Sequence, residues 1–65
     1  MEIEKILNAV VTEIAIDSGK NINELYENPE SMQIARYLAR HGEVVLPSGR
    51  KLSRDYVTKK YAWKP

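Results

Sequence analysis

Arg36 and Arg40 stand four residues apart, with Tyr37 between them and Gln33 one turn earlier. Arg50 and Lys51 follow directly on Pro47-Ser48-Gly49, and the last twelve residues hold Arg54, Tyr56, Lys59, Lys60, Tyr61 and Trp63. These residue types suit recognition of phosphates and bases. A guanidinium donates two bonds to guanine, a glutamine pairs with adenine, and lysine neutralises phosphate. Tyrosine and tryptophan within a basic groove stack on exposed bases. Catalysis and metal binding find no comparable material. His41 is the only imidazole and there is no cysteine, so neither a zinc site nor a Cys–His pair can be assembled. His41 falls at a predicted helix C-terminus, where the dipole favours a charged imidazole. Glu24 and Glu27 fit a solvated helix face, and Ser18, Ser31, Ser48 and Ser53 each fall at a cap or turn. The chain has no P-loop, Gly-rich dinucleotide loop or nucleophile elbow. The expectation is a non-enzyme without cofactor or metal.

The same residues have plainer uses. Arg36 and Arg40 also suit an ordinary solvated face, salt-bridged to acids of the N-terminal half. Arg50 and Lys51 at a hairpin tip suit protection of a strand edge. Tyr56, Tyr61 and Trp63 also suit a cap over the core. Charge distribution bears on the choice. Residues 1–33 hold seven acids and two bases, a net of −5, while residues 34–65 hold eight bases and two acids, a net of +6. The whole chain is only +1. Such a split fits a basic surface for a polyanion, head-to-tail pairing, or internal neutralisation.

The elements that must position these residues follow from periodicity and punctuation. Ile3, Ile6, Leu7, Val10, Val11 and Ile14 form one helical stripe, predicting a first helix over 2–17 that stops before Gly19. Ile16 falls off that stripe. A short second helix is predicted over 21–27, capped by Asn21, with Ile22 and Leu25 inward. A third is predicted over 29–41, with Asn28 as cap, Pro29 in the first turn and Gly42 as stop. Its apolar arc is Met32, Ile34, Ala35, Leu38 and Ala39. Gln33, Arg36 and Arg40 fall opposite, beside Tyr37. Residues 43–53 read as a hairpin turning at Pro47-Ser48-Gly49, with Arg50 and Lys51 near its tip. For 54–61, a helix capped by Ser53 with Val57 and Tyr61 on one face is slightly favoured over a strand. Lys64-Pro65 reads as frayed.

Sixty-five residues make one small domain, an acidic helical half (1–33) and a basic helix, hairpin and tail (34–65). The predicted class is α+β, with two to three helices, then a β-hairpin, then a short C-terminal helix or strand. A chain this short sits near the limit of independent stability, and disulfides are excluded, so packing or oligomerisation must hold it. Apolar runs never approach the ~20 residues of a membrane span. The acidic start Met1-Glu2-Ile3-Glu4 lacks the basic opening of a secretory signal. A cytoplasmic protein is expected.

The order of helix, Gly, basic hairpin and closing helix resembles a winged helix-turn-helix, specifically the small excisionase-type regulators of phages and mobile elements. Ile22-Asn23-Glu24-Leu25 resembles their opening helix, Ser31 to Leu38 their recognition helix, and Pro47-Ser48-Gly49-Arg50-Lys51 their wing. The chain departs from that pattern at Tyr26, where a small residue is usual, and at Glu30, where a turn glycine is usual. The Leu25–Ile34 spacing is shorter, and the long first helix is additional. The resemblance implies that Gln33, Arg36, Tyr37 and Arg40 face bases and that Arg50 and Lys51 contact the backbone. Arg54, Lys59 and Lys60 complete the expected DNA-binding set. Paired half-sites would favour a homodimer. The alternative expectation is a small phage-type inhibitor, one that binds a host protein or sequesters a phosphate-bearing ligand, often as a homo-oligomer.

Overall fold

A computed structural model describes residues 3–61. Four helices and one antiparallel hairpin follow in the order α1 (Ile3–Ser18), α2 (Ile22–Glu27), α3 (Pro29–His41), β1 (Glu43–Val45), β2 (Lys51–Ser53) and α4 (Arg54–Lys60). The class is α+β, as the periodicity predicts. Calls on Trp63 and Lys64-Pro65 lie outside the described residues.

The first helix buries Ile6, Val10, Val11 and Ile14 of the predicted stripe together with Ala9 and Glu13, while Ile3 and Leu7 of that stripe are half-buried against the core. It packs along α3 and α2. Asn21 caps α2 by accepting the Asn23 N–H at 2.8 Å. Only Leu25 of this helix is buried. Ile22, expected inward, is 42% exposed. A six-residue helix turns fewer than two full turns toward the core, and Leu25 occupies that single inward position.

Sequence punctuation accounts for α3 at both ends. Asn28 accepts the Glu30 N–H at 3.0 Å, Pro29 takes the first helical position, and Gly42 closes the helix in the left-handed region at φ 83°. There the Gly42 N–H donates to the Leu38 carbonyl at 2.9 Å, satisfying an end carbonyl that would otherwise need water. Ser31, Ala35 and Leu38 are buried, and Met32, Ile34 and Ala39 are half-buried around them.

The hairpin pairs Glu43 with Ser53, Val44 with Leu52, and Val45 with Lys51. Strand alternation sends Leu52 into the core and leaves Val45 60% exposed. Beyond the strands, the Leu46 N–H donates to the Arg50 carbonyl and the Gly49 N–H to the Leu46 carbonyl, each at 2.8 Å. The turn needs φ 93° at Gly49, which glycine adopts without a Cβ clash. Residues 54–60 are helical: Ser53 accepts the Tyr56 N–H at 3.1 Å, Val57 is fully buried, and Tyr61 packs against the core from the C-cap.

Candidate nucleic-acid interface

Burial of one face of α3 dictates what its other face presents. With Ala35 and Leu38 fixed inward, the 100° step per residue carries Gln33, Arg36, Tyr37 and Arg40 outward, and all four are exposed. With His41 they line a shallow groove of about 250 Å³. The Tyr37 and His41 rings lie 4.4 Å apart between centroids at 40°, so the aromatic floor of the groove is ordered by a pair one turn apart. Tyr37 also borders a second groove of about 470 Å³, formed with Glu43, Val44, Val45 and Lys51. One tyrosine therefore joins the polar face of α3 to the outer side of the hairpin.

The cations differ in what they touch. Among the described residues, neither Arg36 nor Arg40 makes an ion pair. Lys51 stands 3.9 Å from Glu43, a loose pair with both side chains well exposed. Arg54 donates from Nη1 to the Ala39 carbonyl at 2.9 Å, placing a positive charge at the C-terminal end of α3 where the dipole favours it. Lys59 is exposed on α4.

Arg50 and Lys60 are held from inside. Glu13, on the core face of α1, is fully buried. Its Oε1 accepts from Arg50 Nη2 at 2.8 Å, and its Oε2 accepts from Lys60 Nζ at 2.8 Å and from Tyr61 Oη at 2.7 Å. Arg50 also donates from Nε to Asp17 Oδ2 at 3.0 Å, and the Ser48 hydroxyl donates to the same oxygen at 2.9 Å. Two carboxylates and two cations thus form a neutral cluster joining α1, the hairpin and α4. Burial pushes the Glu13 carboxyl upward, but the bonds from Lys60, Tyr61 and Arg50 outweigh it and hold it below its ordinary value. Asp17 is lowered by Arg50 and Ser48. Burial and the bond to Glu13 push the Tyr61 phenol up to about 12. Lys60, bonded to Glu13, is raised.

The structure therefore brings Gln33, Arg36, Tyr37 and Arg40 onto one exposed face, with Lys51 beside it across the Tyr37 groove. It places Arg50 and Lys60 together elsewhere, on shared carboxylates. Sequence reasoning did not single out Glu13 or Asp17. The signal is present in the sequence: Glu13 falls seven residues after Ile6 and three after Val10, at the edge of the apolar stripe between Ile6 and Ala9. An acid there needs donors from other elements.

No helix among the described residues is long and apolar enough to cross a membrane, and no group of three or more potential ligands there is arranged to hold a metal ion. Comparison with family models, curated proteins and solved structures gave no match.

Proposed function

We propose that the chain is a small nucleic-acid-binding regulator that uses the exposed face of α3. One observation carries this reading: two arginines one turn apart, without ion-pair partners among the described residues, flank a groove that also presents an amide and an aromatic pair. A helix of this kind fits the major groove of duplex DNA, where Arg36 and Arg40 would reach guanine or phosphate and Gln33 would reach adenine. Lys51, Arg54 and Lys59 would neutralise flanking phosphates. Arg50 and Lys60 already face carboxylates, so this reading assigns them to positioning the hairpin and α4.

Titration of labelled mixed-sequence duplex DNA at several salt concentrations tests it. Saturable binding that weakens steeply with salt is expected, and Arg36→Ala/Arg40→Ala should reduce the slope of log K against log salt by about 2. An unchanged slope and affinity would remove α3 from the interface.

A second reading is favoured by Ile16, which is 62% exposed. An exposed isoleucine off the core stripe suits a protein contact, as in a small inhibitor of a host protein. Retention of one partner from nuclease-treated lysate through high salt, lost on Ile16→Asp, would favour that reading.

A further inference from the structure

Internal pairing leaves the charge segregation of the sequence in place. Among the described residues, ion pairs match Glu13, Asp17 and Glu43 with Arg50, Lys60 and Lys51. Outside those pairs, two stretches carry charge of one sign. Residues 22–30 carry Glu24, Glu27 and Glu30 and no base. The α3 groove carries Arg36 and Arg40 and no acid. Each region also exposes apolar surface. Tyr37 is 53% exposed on α3, while Ile22 and Tyr26 are exposed on a side of α2 away from Glu24 and Glu27, where the Tyr26 hydroxyl donates to Asn8 Oδ1.

Spacing matches as well as sign. Glu24 and Glu27 are three apart on α2, and Arg36 and Arg40 are four apart on α3. Side chains at either spacing stand about 5–6 Å apart on one side of a helix. One carboxylate pair is therefore dimensioned for one guanidinium pair. The two cannot meet within a single chain. Buried Leu25 fastens α2 to the core, and Asn28 alone separates α2 from α3, so α2 cannot reach the outward face of its own third helix.

We infer that the α3 groove receives the α2 helix of a second copy of this chain, Glu24 and Glu27 against Arg36 and Arg40. The contact is heterologous: each copy offers one donor surface and one acceptor surface, so association can continue beyond a dimer. It does not depend on the nucleic-acid reading. Both use Arg36 and Arg40, so a polyanion and a second copy would compete.

Sedimentation equilibrium on nuclease-treated protein tests the contact. At low salt the wild type should exceed dimer mass as concentration rises, and high salt should return it to monomer, since exposed pairs are screened over about one Debye length. Glu24→Gln/Glu27→Gln and Arg36→Gln/Arg40→Gln should each be monomeric. Mixed one to one, they should form a dimer and stop there, because the first keeps an intact groove and the second an intact α2. If the arginine double variant loses its helical circular dichroism, Arg36→Gln or Arg40→Gln alone serves in the mixture. A wild type that stays monomeric at low salt and high concentration overturns the inference. So does a mixture that associates no better than its components. DNA titration of the same variants reads the other proposal separately.

Discussion

Arg50 with Lys60 and Arg36 with Arg40 are the same chemistry in two settings. The first pair converges on Glu13, a carboxylate whose side chain is only 1% accessible, and the cluster has no net charge. The second pair stands on a helix whose only acid, Glu30, lies in its first turn. A basic residue count cannot distinguish them. What separates them is whether the opposing helix face carries an acid at core depth. The first pair is fitted to hold elements together, and the second to meet something from outside.

The largest expected effect breaks the first region. Glu13→Ala removes the acceptor of three donors and leaves Arg50, Lys60 and Tyr61 turned toward an empty site. Stability should fall by about 3 kcal/mol, read from urea unfolding. A loss below about 1 kcal/mol would show that the cluster is a surface ornament of the fold. Acid should reach the same contacts more gradually. Glu13 and Asp17 titrate below their ordinary values when folded, so their contribution is present above the unfolded pKa values near 4.5 and 3.8. It is lost as pH falls through the folded values. The urea midpoint should therefore stay level for these groups from pH 7 to 5 and drop below about pH 4.5, with a shallower drop in Glu13→Gln.

The next effect divides the regions. Arg36→Ala/Arg40→Ala should weaken DNA binding about tenfold or more at low salt while leaving the unfolding free energy from urea within about 0.5 kcal/mol of wild type. Lys60→Gln should do the reverse, lowering the midpoint slightly and leaving the salt slope of DNA binding unchanged. A Lys60→Gln protein with a reduced salt slope would merge the two regions into one interface. The smallest effect belongs to Lys51→Ala. Its pair with Glu43 is exposed and loose, so stability should be unaffected, and DNA binding should lose about one phosphate contact.

Local signals made most of the fold legible. Asn28-Pro29 and Gly42 bracket α3 because capping acts over three or four residues, within reach of a sequence window. Pro47-Ser48-Gly49 marks the turn for the same reason. Ile22 was misplaced because periodicity over six residues does not define a face. The wheel of α3 likewise put Gln33, Arg36 and Arg40 outward with Tyr37 beside them. The destinations of Arg50 and Lys60 were not legible, since their common acceptor lies 37 and 47 residues away in the chain. No helical or strand period spans such distances. The unexplained acid in the α1 stripe was the one local trace of them.

That acid also sets how the molecule comes apart. The hairpin and α4 share one carboxylate of α1, Glu13, with one oxygen facing each, and the hairpin alone also holds Asp17. Freeing either oxygen removes part of what keeps the other in place. Native-state hydrogen exchange should therefore find the amides of β1, β2 and α4 opening in one cooperative step, as a shared foldon, with α1 and α3 exchanging more slowly behind them.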